Sequence, residues 1–158
     1  MPAALRRAFG VYPTGVTVIT TVTEQGAPVG FTANSFTSVS LDPPLLLVCP
    51  SLSLGCYPAF SACARFAVNV LAEDQRDIAD RFASFRGDRF AMAGWTPDDR
   101  GIPILDGVAA HFSCAVHDRY PAGDHMILLG RVDAWRRSDQ DRPLAFAAGS
   151  YTTLPAHR

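Results

Sequence analysis

Gly123, Asp124 and His125 stand between two runs of strand-forming residues in the stretch YPAGDHMILLG (120–130). A tight turn needs the glycine and can use the aspartate, but it has no need of the histidine. A carboxylate beside an imidazole can orient the ring, and an oriented ring can position a polar substrate near neutral pH. The plain alternative is a solvent-exposed or capping histidine. Two further stretches are rich in small hydrogen-bonding groups. In GFTANSFTSVS (30–40) they are Thr32, Asn34, Ser35, Thr37, Ser38 and Ser40, and in CPSLSLG (49–55) they are Ser51 and Ser53. Hydroxyls and backbone amides in such runs can meet a polar ring edge or a phosphate, and the second run leads into a helical region where anions are favoured. Each run is also what a solvated strand edge with ordinary turn residues looks like.

Missing motifs narrow the chemistry. No G-x-G-x-x-G follows a strand, and there is no P-loop, G-x-S-x-G elbow or H-E-x-x-H, so nucleophilic and metal-hydrolytic mechanisms have no residues to stand on. Cys49, Cys56, Cys63 and Cys114 have neither CxxC spacing nor a neighbouring histidine. They read as buried free thiols, and no metal site is expected. A formal net charge of −1 without a basic cluster gives no case for nucleic acid. All 14 basic residues are arginine, which reads first as coding bias, although arginine does suit phosphate. No apolar run has the length of a signal peptide or membrane span, so a cytoplasmic protein away from the membrane is expected. His111 and His117 read as strand-face residues, and His157 as tail.

These groups need a scaffold. AALRRAF (3–9) predicts a short helix that ends at Gly10, before Pro13. GVTVITTVT (15–23) is β-branched almost throughout and predicts a strand; after the turn EQGAP (24–28), VGFTANSFTSVS (29–40) resumes an extended pattern until Pro43 and Pro44. LLLVC (45–49) is a short buried strand, and a short helix follows from about Tyr57 with Pro58 in its first turn. RFAVNVL (65–71) predicts a strand with Phe66, Val68 and Val70 on one face. EDQRDIADRFASF (73–85) is the clearest helix, with Ile78, Phe82 and Phe85 at helical spacing and Asp74 as N-cap. Residues 86–106 read as loop.

GVAAHFSCAVHDRY (107–120) alternates cleanly, placing Val108, Ala110, Phe112, Cys114 and Val116 on the buried face of an antiparallel strand. It returns through PAGD as HMILLGRVDAWRR (125–137), a long hairpin, and PLAFAAGSYTTL (143–154) reads as the last strand. Seven or so antiparallel strands with only short helices between them predict a mainly β fold. The expected architecture is a closed or split antiparallel barrel with peripheral helices, one domain over residues 1–158.

In their order, YPTGVTVITT, GFTANSFTSVSLDPPLLLVCPS, FAVNVL, GDH and GSYT resemble the flavin reductase family that feeds two-component flavin monooxygenases. These are small proteins of the FMN-binding, Greek-key split-barrel type, and the likeness runs from about Leu5 to Leu154. It implies that Thr14 and Gly15 lie near the isoalloxazine ring, and that Thr32, Ala33, Asn34 and Ser35 bond its polar edge and the ribityl chain. Cys49, Pro50, Ser51, Leu52 and Ser53 would wrap the ribityl chain and phosphate. Arg89 would be a phosphate partner, where several relatives carry lysine. His125 would sit on the exposed flavin face where the nicotinamide stacks, oriented by Asp124, with Tyr151 closing that pocket. The resemblance turns His125 from a turn residue into the candidate catalytic residue.

The same resemblance implies an NAD(P)H:flavin oxidoreductase, a homodimer with the flavin near its interface, that supplies reduced FMN or FAD to a separate oxygenase. Hydride moves from nicotinamide C4 to flavin N5, and the protein must stack two rings at near-attack distance. The missing catalytic dyads fit that chemistry. NADH is favoured over NADPH because no arginine cluster marks a 2′-phosphate site. Two alternatives stay open. One is a flavin carrier, store or sensor without turnover, which differs only at the nicotinamide face. The other is an oxidase of the pyridoxamine-phosphate type, which would need a basic cluster that the flavin motifs lack.

Overall fold

The computed structural model describes residues 2–139 and 142–156. The chain runs through α1 (Pro2–Gly10), β1 (Thr14–Gly15), β2 (Thr17–Val22), β3 (Pro28–Ala33), β4 (Thr37–Leu41), β5 (Pro44–Val48) and α2 (Tyr57–Ala62). It continues as β6 (Arg65–Val70), α3 (Arg76–Ser84), β7 (Trp95–Pro97), β8 (Pro103–Leu105), β9 (Ala110–Ala122), β10 (His125–Arg137), β11 (Leu144–Ala147) and β12 (Ser150–Thr153). Seven strands form one antiparallel sheet in the order β3-β2-β6-β9-β10-β5-β4.

The two edge strands of that sheet, β3 and β4, are consecutive in the chain and joined only by residues 34–36. Four residue steps, from Ala33 to Thr37, reach at most about 14 Å. The sheet must therefore curl until its edges nearly meet. The result is the expected split antiparallel barrel, open along the line that residues 34–36 bridge.

Ile19, Phe31, Val48, Phe66, Cys114 and Leu128 fill the barrel. A second core, including Val18, Leu71, Ala79, Phe82 and Leu144, lies outside it under α3. Both faces of β6 are therefore buried, and Ala67 and Asn69 are as inaccessible as Phe66 and Val68. Asn69 is fully satisfied there. Its Nδ2 donates to Val18 O (3.0 Å) and Thr20 Oγ1 (3.1 Å), and its Oδ1 accepts from the Leu105 N–H (2.9 Å). A buried amide left unpaired would cost about 1–3 kcal/mol.

Several boundaries differ from the sequence expectation. The β-branched run over 15–23 divides at Val16, so β1 joins β11 and β12 in a separate three-stranded sheet. Gln75, not Asp74, precedes α3; its side chain accepts from the Ala72 N–H (2.9 Å) and donates to Asp106 O (2.8 Å). Phe85 has left the helix, with extended φ −69° and ψ 126°, and is 47% exposed. Within 86–106, β7 and β8 pair as a ribbon. The last predicted strand is a hairpin, because Ala148 and Gly149 both take positive φ (50° and 78°). Alanine rarely adopts that conformation, so composition gives no warning of the turn.

On β9 the alternation is less clean than the sequence suggests. Cys114 is buried, but Phe112 and Val116 are only half-buried, and Ser113 on the opposite face is buried with its hydroxyl donating to Asp98 Oδ2 (2.9 Å). Both β9 and β10 have 13 residues. However, β6 flanks β9 only from Ala110 to Ala115, and β5 flanks β10 only from Leu128 to Arg131. The turn end of the hairpin overhangs the barrel. At the other end of the chain, α1 has no buried residue, and Leu5, Phe9, Val11 and Tyr12 are exposed. Among the described residues, no helix is long and apolar enough to cross a membrane.

Candidate functional site

The overhanging hairpin closes through two residues: Ala122 pairs with His125, and Gly123 takes φ +63°, as a glycine does in the first position of a II′ turn. Beyond the turn, His125 forms an isolated antiparallel bridge with Ser51. The Leu52 N–H donates to Asp124 O and the Met126 N–H donates to Pro50 O, both at 3.0 Å. Ser35 joins from the split line, its Oγ accepting the Cys49 N–H at 3.0 Å. Segments 32–35, 49–53 and 123–126, distant in sequence, are thus tied together by three hydrogen bonds.

The 49–53 loop is shaped by its own serines. Ser51 and Ser53 hydroxyls lie 2.9 Å apart, and the Ser53 N–H donates to Ser51 Oγ (3.2 Å). Past Ser53 the chain enters α2, whose far end is clamped by Arg119 of β9. That guanidinium donates to Phe60 O (3.2 and 3.1 Å) and to Cys63 O. Nothing in the sequence signals this clamp, because an arginine late in a strand reads as solvated.

Arg89 lies against the end of α3. Its Nε donates to Phe85 O (2.8 Å) and its Nη1 to Gly30 O (2.9 Å), so three of its five N–H groups remain for an anion. Arg89 and Ser53 line one cleft of about 900 Å³. Another cleft, of about 690 Å³ between residues 21–25 and 58–65, contains none of the expected site residues.

His125 Nδ1 lies 2.7 Å from Asp124 Oδ1, with the two side chains 45% and 94% exposed. The hydrogen bond from His125, then its charge, holds the Asp124 carboxyl below the usual carboxylate range. An ionised carboxylate only accepts, so Nδ1 carries the proton and Nε2 is left facing outward. The cysteines are not poised as nucleophiles. Burial pushes the Cys49 thiol up, and it does the same to Cys56 despite the opposing charge of Arg89.

Other expected residues take varied places. The Thr32 hydroxyl donates to Ala79 O on α3 (2.6 Å), so towards a ligand it can only accept, and Ala33 is a core residue whose carbonyl accepts from Thr17 Oγ1 (2.8 Å). Asn34 is exposed, and its amide bonds none of the described residues. Thr14 Oγ1 is buried without a partner among the described residues. At Gly15 and Gly55 an added Cβ would meet nothing, and neither has a positive φ. Tyr151 packs on Phe146 (5.4 Å between centroids) with the Arg76 guanidinium 5.3 Å from its ring. Its phenol is pushed up by burial and then by Asp80. These contacts set Tyr151 beside α3 and β11.

His111 is half-buried on β9, its imidazole pushed down by burial and then by Arg136, and His117 is exposed. His157 lies outside the described residues. Among the described residues, no group of three or more His, Cys, Asp or Glu could hold a metal.

The donor set suits a flavin nucleotide. The hydroxyls of Ser35, Ser51 and Ser53, the uncommitted Asn34 amide and the Arg89 fork all border the open line or the cleft beside it. A seven-stranded sheet curled around such a line defines the split barrel of the flavin reductases. The chain belongs to the flavin reductase like domain family, whose model matches residues 9–155.

The chain is 51% identical to the reductase subunit of stachydrine N-demethylase from Rhizobium meliloti (strain 1021) over 150 residues, covering 95% of this chain and 65% of that protein. It is also 51% identical to a probable flavin reductase of the same organism over 152 residues, covering 96% of this chain and 49% of that protein. The chain therefore spans about half to two thirds of the length of these two relatives. Among solved structures, the Streptomyces globisporus NADH:FAD oxidoreductase in complex with NAD and FAD fragments superposes with a TM-score of 0.92 at 39% identity, covering 98% of this chain and 93% of that chain.

Proposed function

We propose that the protein is an NAD(P)H:flavin oxidoreductase that uses NADH in preference to NADPH, reduces FMN or FAD and passes the reduced flavin to a separate monooxygenase. The bridge between Ser51 and His125 carries this reading. It sets the segment suited to the flavin's ribityl chain and phosphate beside the residue suited to the nicotinamide.

Within this reading Cys49 to Ser53 and Arg89 hold the ribityl chain and phosphate. The backbone of Thr32 and Ala33 and the side chains of Asn34 and Ser35 meet the polar edge of the ring, with Thr14 and Gly15 behind it. Ser35 accepts from Cys49 and keeps its own O–H to donate. Bound flavin supplies the hydride acceptor and the reduced nicotinamide the donor. The chain's part is alignment, which in well-oriented systems lowers a barrier by up to about 7–11 kcal/mol. His125, with Nδ1–H committed to Asp124, uses Nε2 to accept from the nicotinamide carboxamide or, when protonated, to donate to the pyrophosphate. Tyr151 lines the nicotinamide pocket.

The reading includes one domain over residues 1–158, acting in the cytoplasm as a homodimer. Support for the dimer is the bare α1. A free helix of this length is marginal in water, and its apolar side chains have no cover within the chain. Leu41, 95% exposed on the edge strand β4, asks for the same cover. The test is steady-state oxidation of NADH and NADPH with FMN, FAD and riboflavin, each varied separately, together with anaerobic mixing. NADH should bleach flavin only when the protein is present. Tight flavin binding without bleaching would make the protein a carrier and sink the reading.

A further inference from the structure

One irregularity of the β9–β10 ladder falls between the root of the hairpin and its tip. Leu129 pairs with Asp118 and Gly130 with Val116, so His117 has no cross-strand partner. An extra residue of this kind bends a strand and re-aims everything beyond it. Gly130, opposite the bulge, is pressed against the core, since an added Cβ would meet the Phe66 ring at 2.5 and 2.9 Å. The direction in which the tip leaves the barrel, and His125 with it, is set at this point.

The chain at the end of α2 brackets that bulge. On the root side, Ala64 O accepts from the Val116 N–H (2.9 Å). On the tip side, Phe60 O accepts from both Nε and Nη2 of Arg119, and Cys63 O accepts from Nη2 as well. A planar fork spanning two carbonyls fixes an angle as well as a distance, which a single flexible donor does not. Beyond Arg119 the ribbon is next held at its tip, by the Leu52 and Met126 backbone bonds. With both holds in place the segment between them cannot tilt. Without the guanidinium, the tip bonds remain but the ribbon can pivot about them.

We propose that Arg119 is a positioning residue for the reductase reaction: by splinting the His117 bulge to the end of α2, it fixes the bend of the hairpin and so the place of the His125 imidazole. The proposal rests on the reading of His125 given above. Arg119 acts through the hairpin and not by contact with either substrate. Its effect must therefore pass through the His125 side chain, and that requirement separates positioning from general support of the fold.

The test is a double-mutant cycle in NADH oxidation with FMN as acceptor, through the wild type, Arg119→Gln, His125→Ala and the double variant. Arg119→Gln should raise the KM for NADH about fivefold, with kcat and flavin affinity within about twofold, and Arg119→Lys should lie between it and the wild type. In the His125→Ala background the same substitution should change KM by less than about twofold, because the side chain it positions is gone. If melting curves show that Arg119→Gln does not fold, Arg119→Lys takes its place in the cycle. Equal effects of the Arg119 substitution in both backgrounds are the mark of a merely structural arginine and overturn the proposal. So does an unchanged KM in Arg119→Gln, or a joint fall in kcat and flavin affinity. Failure of the His125 reading has a separate signature, an unchanged KM in His125→Ala, and it removes the proposal with it.

Discussion

Ser51 and His125 face each other across an antiparallel bridge whose two flanking hydrogen bonds, Leu52 N–H to Asp124 O and Met126 N–H to Pro50 O, join backbone atoms only. The side chain at position 125 can therefore change without loosening the loop that Ser51 belongs to. Position and chemistry are separable at this residue.

Accordingly, His125→Ala should raise the KM for NADH about tenfold while flavin affinity stays within about twofold, because the lost contact serves the second substrate. Comparable loss of flavin affinity would put the imidazole on the wrong face of the ring. Inserting one residue after Ala122 acts differently. It shifts the turn against both backbone bonds, so flavin affinity and NADH oxidation should fall together while the barrel still folds. Full activity in that insertion mutant would show that the bridge has no part in the reaction.

Arg89 has two duties that one comparison separates. Arg89→Ala removes the bonds to Phe85 O and Gly30 O, a loss that riboflavin and FMN share. It also removes a charge-assisted bond to phosphate, worth roughly 1.5–3 kcal/mol, which only FMN feels. Titration with both ligands should show that excess for FMN. Ser53→Ala, which loses only the contact with the Ser51 hydroxyl within the chain, should weaken FMN more than riboflavin. Equal losses for the two ligands would remove Arg89 from the phosphate site.

Acidification should act through Asp124. Its carboxyl titrates below the usual range because His125 donates to it. A depressed folded pKa means that the contribution is complete above the unfolded value and is lost as the pH falls through the folded one. The group is fully exposed, so melting temperature will scarcely register it. The readout is the KM for NADH, which should rise on the acid side in the wild type and show no such limb in Asp124→Asn. Identical acid limbs in the two proteins would refute the orienting role.

Much of the scaffold was legible because it obeys period. The β9–β10 hairpin, α2 with Pro58 in its first turn, and the strands β2, β5 and β6 all follow from β-branched runs, alternation and punctuation. The errors fall where a side chain answers to a distant partner. Gln75 displaces Asp74 as the residue before α3 because Ala72 and Asp106 hold it, and Phe85 leaves the helix face to line a cleft. The polar runs of the site were visible as composition. Their union through Ser35, Cys49, Ser51 and Asp124 was not, since local pattern carries no information about which loops meet. Arg119 gave no signal beyond its charge.

The packing of β9 gives a test independent of function. Cys114 is 1% exposed, and burial pushes its thiol up to about 12. It should resist thiol reagents in the native protein and react after denaturation. Phe112 is only half-buried, stacked on Phe36 at 5.8 Å. Phe112→Ala should therefore cost less than the roughly 3–5 kcal/mol of a fully buried phenylalanine, measured by denaturant unfolding. Rapid native labelling of Cys114 would mean that the strand is turned the other way.

Cover for α1 and β4 can be read from molecular mass in solution. Wild-type protein should elute as a dimer, and Phe9→Glu or Leu41→Glu should shift it toward monomer with a lower melting temperature at low protein concentration. A monomeric wild type would leave those side chains without a purpose in this reading.

The overhang of the β9–β10 hairpin has a kinetic meaning. From Ala110 to Ala115 the ladder is flanked by β6, so its amides can open only when the barrel does. Past Arg119, whose guanidinium grips α2, the two strands have each other, the pair of bonds to Pro50 and Leu52, and one core anchor, the buried Met126 side chain. Hydrogen exchange along this one hairpin should therefore divide into two regimes, global at the root and local at the tip. A bound flavin that stiffens the 49–53 loop would slow exchange at residues 120–126 and leave the root untouched. Local opening at Gly123 and Asp124, with Met126 kept in the barrel core, would give a two-substrate site a door on a fixed frame.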